Sequence, residues 1–168
     1  MQVIILMGAS GSGKSTYIKN TFNSREAVRP LLSPDNECEE GDVVVLSADD
    51  MTFDKDGIFH PQLLSAAHAD CLRTFAELVS KKENEAITVI VDNTNTSPWE
   101  VSPYVALANA YEEVHITLVV FDENWKLCAA RTAHDTPVDI IRKQARRLEE
   151  TLDDWPPYWP KPTFGIYV

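Results

Sequence analysis

Four short runs of apolar residues predict the buried strands of the protein. They cover residues 3–7, 43–46, 86–91 and 115–121. Each run is nearly continuous rather than alternating, which is typical of strands that are buried on both faces of a parallel sheet. Polar and mixed segments separate the runs, so the pattern predicts an α/β chain with a central parallel sheet.

The segments between these runs contain the predicted helices. One of them carries apolar residues at intervals of three or four, as expected of a helix that packs by one face. Ser97, Asp122 and Thr136 stand at predicted N-caps, and Pro98 and Pro137 suit the first helical position. The predicted helices cover about 14–22, 60–82, 97–111 and 122–131, with a long polar helix from 136.

The remaining segments are rich in proline and acidic residues. We expect 23–42 to be a loop, 132–135 to be irregular and 165–168 to form a short final strand. The length of 168 residues fits one domain over 1–168, which buries about two-thirds of its unfolded surface. Within it we predict a lid near 131–137 and an aromatic, proline-rich tail at 155–168.

Charge and composition exclude several classes of protein. The net charge of −11 argues against nonspecific coating of nucleic acid, although basic residues gather late in the chain and suggest a local positive site. Three widely spaced cysteines indicate neither a disulfide framework nor a zinc site. No apolar run approaches the ~20 residues of a membrane span, so we expect a cytoplasmic protein with no membrane contact.

A glycine-rich segment directly after the first strand carries the chemistry. It reads G-x-x-x-x-G-K-S, with a strand before it and a helix after it, which is the context of a phosphate loop. Backbone N–H groups of such a loop surround phosphates, Lys14 adds a mobile charge, and Ser15 offers a hydroxyl to Mg²⁺. The alternative is a chance glycine-rich turn. The predicted ATP-binding residues are Gly8, Ser10, Gly11, Ser12, Gly13, Lys14, Ser15 and Thr16.

Two carboxylates follow the second apolar run. Ligands of open parallel sheets bind beyond the carboxyl ends of the strands, so Asp49 and Asp50 are expected beside the phosphate position. A carboxylate that accepts the proton of an attacking hydroxyl recurs in phosphoryl transfer, and we assign Asp49 to that role. The alternative, that the two acids cap the next turn, is preferred for Asp50.

The third apolar run ends in an acid followed by uncharged polar residues. Asp92 in this position is typical of the Walker-B residue that holds Mg²⁺, or else it caps the next helix. The neighbouring Asn93, Thr94 and Asn95 offer donors that could orient an acceptor, and they are the predicted substrate-binding residues.

Arg131 lies at the junction between a short predicted helix and the irregular segment. A lid arginine there can reach the transferring phosphoryl group, in the manner of an internal arginine finger. The alternative is an exposed cation that compensates the dipole at the end of the helix. Spacing alone leaves both open, and Arg142 could approach the same phosphates.

The order of these motifs resembles the polynucleotide 5′-hydroxyl kinase branch of P-loop kinases. That branch includes AAA-type ATP-binding proteins and the kinase domain of bacteriophage polynucleotide kinase. The resemblance covers about 1–150 and implies a three-layer P-loop NTPase fold, kinase-like, with a helical lid. It implies that Lys14 and Ser15 bind ATP and Mg²⁺, that Asp49 activates a 5′-hydroxyl, and that Arg131 is the lid arginine. The branch has an arginine three residues beyond the catalytic Asp, where this chain has Thr52.

These observations predict an ATP- and Mg²⁺-dependent phosphotransferase. The expected acceptor is the 5′-hydroxyl of a DNA or RNA end. The alternatives are a small-molecule, nucleotide or modified-base kinase, which Thr52 and the acidic balance favour, and a noncatalytic switch that binds ATP to control a partner. The expected ligands are therefore ATP, Mg²⁺ and either a nucleic-acid end or a small hydroxyl-bearing molecule.

Overall fold

A single sheet of six parallel strands organises the molecule. The computed structural model describes residues 1–22, 28–30, 41–81, 86–132 and 136–165. Every pair of neighbouring strands is parallel, and the sheet order is β2-β3-β4-β1-β5-β6. The strands are β1 (Gln2–Gly8), β2 (Val28–Pro30), β3 (Val43–Leu46), β4 (Thr88–Val91), β5 (His115–Phe121) and β6 (Thr163–Phe164).

Helices connect the strands and cover the sheet. None of the helices in the described ranges has the length and apolar composition needed to cross a membrane. A 3₁₀ turn at Pro61–Leu63 leads into the third helix. The helices are α1 (Lys14–Thr21), α2 (Asp49–Thr52), α3 (Leu64–Ser80), α4 (Pro98–Asn109), α5 (Trp125–Arg131) and α6 (Val138–Asp153).

The central strand explains why the apolar runs are continuous. In β1, Val3 and Ile5 face a core formed with α3, α4 and α6, whereas Ile4 and Leu6 face a second core that includes Ile18 of α1. Successive side chains of a strand point to opposite faces, so covering both faces requires every position to be apolar. The fold is therefore the predicted three-layer α/β arrangement, with helices packed on both faces of the sheet.

Two strand predictions are corrected by the structure. Val28–Pro30 pairs with β3 as an edge strand, within the segment predicted to be a loop. The last strand is Thr163–Phe164, which ends directly before the predicted range 165–168. Residues 166–168 of that range lie outside the described residues. Both strands are two or three residues long and lie at sheet edges, so only backbone pairing with a neighbour defines them.

Of the three predicted N-caps, one agrees with the structure and two differ. Ser97 and Glu100 form a reciprocal capping box at α4, as the predicted N-cap of Ser97 required. The cap of α5 is Asn124, which accepts from the Lys126 amide, so the prediction for Asp122 is wrong. Helix α6 begins at Val138 after an extended Pro137, one position later than a Thr136 cap implies.

Candidate active site

Three segments meet at the carboxyl edge of the sheet. The Gly8 amide at the end of β1 donates to the Thr94 carbonyl at 2.8 Å, which joins the phosphate loop to the segment after β4. The Ala48 amide after β3 donates to Asn93 Oδ1 at 2.9 Å, which joins the segment after β3 to the segment after β4. These two bonds connect the segments that follow β1, β3 and β4 at one edge of the sheet.

The phosphate loop is packed against α5. Gly11 has φ +79°, and a Cβ added there would lie 2.1 Å from the Cys128 carbonyl oxygen and 3.1 Å from the Thr132 amide nitrogen. A glycine at this position thus lets the loop approach α5 closely, in addition to leaving room for a ligand. The end of α5 fixes one side of the loop.

The start of α1 offers the amides that an anion needs. The first helical hydrogen bond runs from the Tyr17 amide to the Gly13 carbonyl, so the amides of Lys14, Ser15 and Thr16 lie outside the helical pattern. Ser12 Oγ is buried and has no hydrogen-bond partner among the described residues. Unpaired donors at a helix N-terminus fit the phosphates of a nucleotide.

Lys14 is folded back onto its own loop. Its Nζ donates to the carbonyls of Gly8 and Ala9 at 2.9 and 3.0 Å, and the side chain is buried. Burial lowers the pKa of Lys14, against the opposing attraction of Asp92 and Asp49. The ammonium group is thus weakly hydrated and lies within the field of both carboxylates, which makes it responsive to a polyanionic ligand.

Ser15 and Asp92, the two residues predicted to hold Mg²⁺, are in contact with each other. Ser15 Oγ donates to Asp92 Oδ2 at 3.4 Å. Burial raises the pKa of Asp92, with a further increase from Asp49, while Lys14 opposes the shift. The described residues contain no group of three or more His, Cys, Asp or Glu placed to hold a metal. A hydroxyl and one carboxylate fit Mg²⁺, which keeps most of its waters and takes other ligands from phosphates.

Asp49 and Asp50 are adjacent, but their charges act differently on the other residues of the site. Both are exposed on the one-turn helix α2, directly beyond β3. The charge of Asp49 acts on Lys14 and on Asp92, whereas Asp50 acts on Asp92 more weakly. Partial desolvation and the charge of Asp49 raise the pKa of Asp50. Of the two carboxylates, Asp49 is therefore the better coupled to the phosphate loop.

The polar residues after Asp92 support the loops that surround them. Asn93 is buried and bonds Ala48, and its side chain lies against the Cys71 thiol, whose pKa it lowers against the dominant effect of burial. Asn95 adopts φ +46° and donates from Nδ2 to the Leu6 carbonyl at 2.8 Å. Their binding of a substrate stays a prediction, as does that of Thr94.

Arg131 is the last residue of α5 and lies close in sequence to the phosphate-loop contact. Its Nη1 donates to Glu123 Oε2 at 3.3 Å, across the same short helix. The predicted lid at 131–137 includes 133–135, which lie outside the described residues. The action of Arg131 on a transferring phosphoryl group stays a prediction.

Helix α6 contributes two contacts that sequence reasoning missed. Gln144 Oε1 accepts the Ser10 amide of the phosphate loop at 2.9 Å, and Thr151 Oγ1 donates to the Thr96 carbonyl at 2.9 Å. The available signal was a polar residue within the apolar stripe of the helix, since Gln144 falls between the buried Ile141 and Leu148.

Comparison with known proteins places this site in a family. The family model of AAA_33, described as an AAA domain, matches residues 3–153. Among solved structures, the chain is similar to a gluconokinase from Sinorhizobium meliloti 1021, with a TM-score of 0.51 and 16% identity. That match covers 89% of this chain and 76% of the other chain. At this identity the likeness concerns the fold, which is that of a P-loop kinase.

Proposed function

The chain belongs to the AAA_33 family of AAA domains, and on that premise we propose that it is an ATP-dependent kinase that phosphorylates a hydroxyl of a small molecule. The observation that carries the proposal is the meeting of Lys14, Asp49 and Asp92 at one edge of the sheet, where the charge of Asp49 acts on both Lys14 and Asp92. A phosphate loop alone would fit any nucleotide-binding protein. A free carboxylate facing that loop is what a transfer to a hydroxyl requires.

The reaction is a single in-line displacement. The acceptor oxygen forms a bond to the γ-phosphorus, and the bond from that phosphorus to the bridging oxygen breaks, leaving its electron pair on ADP. Asp49 accepts the proton of the acceptor hydroxyl. Its exposure on α2 keeps the carboxylate accessible to that hydroxyl.

The residues around the phosphate loop stabilise the charge of the transferring phosphoryl group. Lys14 and the amides at the start of α1 hold the phosphate oxygens, and Arg131 adds a cation during transfer. Ser15 and Asp92 would hold Mg²⁺, which when bound would supply positive charge beside the phosphates of ATP. Lys14 exchanges its two loop carbonyls for phosphate oxygens, which repays part of the cost of its burial.

The charge of the acceptor side supports a small molecule over a polyanion. The segment 49–64, which we call the acceptor segment, carries four aspartates and one lysine. Its His60 is paired with Asp54 at 3.0 Å. Thr52, at the position where the resembling branch has an arginine, is fully buried and bonds the Ala48 carbonyl. A chain of phosphates would meet net negative charge along this segment. The gluconokinase that shares the fold is also named for a small acceptor.

The 5′-hydroxyl of a nucleic-acid end is the second candidate. The order of motifs along the chain favours it, and exposed basic residues on α6, among them Arg142 and Arg146, could contact a backbone. This candidate is weakened because a nucleic acid needs cationic contacts to its phosphates, whereas the acceptor segment carries net negative charge.

A substrate panel separates these candidates. Transfer from γ-labelled ATP with Mg²⁺ would be measured to neutral polyols, sugars, sugar acids, nucleosides and 5′-hydroxyl DNA and RNA oligonucleotides. Label on a small acceptor supports the proposal, and label confined to oligonucleotides supports the second candidate. Tight ATP binding without transfer to any acceptor would indicate a noncatalytic switch instead.

The adjacent aspartates provide a matched test of the proposed base. Asp49→Asn should lower kcat by about 10²–10⁴-fold and leave nucleotide affinity nearly unchanged, because only the proton acceptor is lost. Asp50→Asn, with the same change one residue away, should keep kcat within about threefold. Equal losses in the two variants would contradict the assignment of Asp49.

A further inference from the structure

We propose that Gln144 is a positioning residue that holds the phosphate loop in its nucleotide-binding shape. The inference rests on the proposed function, since it concerns how that site binds ATP. Gln144 belongs to α6, more than 130 residues from the loop in sequence, and its side chain is 9% exposed. A buried polar side chain is expected to have a definite partner, and here the partner is the loop.

The bond acts on the turn between Ala9 and Ser12 of the phosphate loop. The Ser12 amide donates to the Ala9 carbonyl at 3.1 Å, which closes a turn around Ser10. Gly11 is fixed from the other side by the end of α5. The Ser10 amide donates to Gln144, which joins this turn to α6 by a hydrogen bond. Without that bond, the loop keeps the packing of Ala9 in the cluster of Cys128, Ile141 and Ala145 but loses its polar attachment to α6.

This contact also changes the expected role of Ser10. The sequence predicted its amide to bind phosphate, yet the amide is already bonded to Gln144 Oε1 at 2.9 Å. The amides that remain for phosphates are those further along, at the start of α1. The Ser10 amide would then orient the loop rather than bind the nucleotide.

The amide side chain suits this position chemically. A glutamate would accept the same hydrogen bond, but it would place a negative charge next to a loop that binds phosphates. A neutral acceptor fixes the loop without opposing the ligand. Ile141 and Leu148, three residues before and four residues after Gln144, are buried on the same face of α6.

Thr151 provides a matched control on the same helix. It is 2% exposed, and its hydroxyl donates to the Thr96 carbonyl at 2.9 Å, across 55 residues. It therefore makes the same kind of contact, from α6 to a loop at the edge of the sheet. Its partner loop follows β4 and is not the phosphate loop.

The test compares Gln144→Met with Thr151→Val in the full chain. Both substitutions nearly keep the side-chain volume and remove a buried hydrogen-bonding group, which in Thr151 is a hydroxyl 2.9 Å from the carbonyls of both Thr96 and Arg147. Both should therefore lower Tm by a few degrees. Only Gln144→Met should weaken ADP binding, by about tenfold in Kd measured calorimetrically well below Tm. In turnover assays it should raise the KM for ATP more than it lowers kcat.

Several outcomes would overturn the inference. ADP affinity within about twofold of the wild type in Gln144→Met, or an equal loss in Thr151→Val, assigns Gln144 a purely structural role. If Gln144→Met does not fold, Gln144→Asn carries the same test, because the shorter amide cannot reach the Ser10 amide. Wild-type protein that fails to bind ADP would overturn the proposed function itself, which is a separate result.

Discussion

The nucleotide side and the acceptor side of the site are built in different ways. Around the phosphate loop, the side chains of Ser12 and Lys14 are buried, and contacts arrive from β4, α5 and α6. The acceptor segment 49–64 is largely exposed, and its bonds are local, such as the Ile58 amide to Asp54 Oδ1 and the His60 amide to the Thr52 carbonyl. One side is fixed by the core, and the other by its own short turns.

This difference indicates how the two sides can change. A loop held by distant elements keeps its shape, and a substitution there disturbs both packing and binding. An exposed segment with local bonds accepts substitutions at small cost in stability, and its side chains remain available to set the acceptor. We therefore expect nucleotide binding to be sensitive to the fold and acceptor choice to depend on surface residues.

Two glycines with positive φ test the contrast most strongly. Gly11 would place a Cβ 2.1 Å from the Cys128 carbonyl oxygen, whereas Gly57 in the acceptor segment has φ +76° and open space around it. Gly11→Ala should weaken ADP binding at least about 100-fold and lower Tm strongly, because backbone must move. Gly57→Ala should cost only the strain of its φ, about 1–2 kcal/mol in the free energy of unfolding.

The measurements are calorimetric ADP titration and denaturant unfolding of both variants. Gly57→Ala controls for backbone strain, so the excess effect of Gly11→Ala reports the contact with α5. If the two variants lose similar stability and keep similar ADP affinity, the phosphate loop is not fixed by α5 as described.

Two aspartates should show opposite effects of pH on stability. Burial raises the pKa of Asp92, so the folded state binds its proton more readily than the unfolded chain, and the free energy of unfolding falls as pH rises through that pKa. The hydrogen bond from His60 lowers the pKa of Asp54, so its stabilisation is present above the unfolded pKa and is lost as pH falls through the folded one.

Asp92→Asn should therefore raise Tm at pH 7.5, while Asp54→Asn should lower it slightly. Both differences should shrink toward low pH, where the two carboxyl groups are protonated in the folded and unfolded states. Thermal melts in metal-free buffer between pH 3 and 8 measure this. A lower Tm for Asp92→Asn at pH 7.5 would show that attraction to Lys14 outweighs the desolvation of Asp92.

The smallest expected effect concerns exposed apolar residues on the two sides. Ile58 in the acceptor segment is 57% exposed, and Val138 at the start of α6 is 53% exposed. Ile58→Thr should change the acceptor KM by a few-fold and leave ADP affinity unchanged, because its side chain adds apolar surface beside the proposed acceptor. Val138→Thr should change neither, and stability should shift by about 0.5 kcal/mol or less in both.

Steady-state kinetics with the best acceptor from the substrate panel measure the effect of Ile58→Thr. An unchanged acceptor KM would place the acceptor away from the exposed side of the segment. A change in the ADP affinity of either variant would contradict the separation of the two sides.

Sequence by itself determined the four inner strands of the sheet and the position of the phosphate loop. The continuous apolar run 3–7 requires burial on both faces, and the spacing from Gly8 to Ser15 predicts phosphate binding. The order of Asp49, Asp92 and the strands before them then places these carboxylates at one edge. These features follow from local pattern and the rule that parallel strands end together.

Tertiary structure alone decided which side chains support that edge. The bond from Ser10 to Gln144 joins residues that no local pattern connects, and the edge strand Val28–Pro30 exists through pairing with β3. The burial of Thr52 and the closeness of Gly11 to Cys128 likewise depend on how distant elements pack. Hydrophobic periodicity reports whether a position is buried, whereas the partner of a buried polar group is set only when the chain has folded.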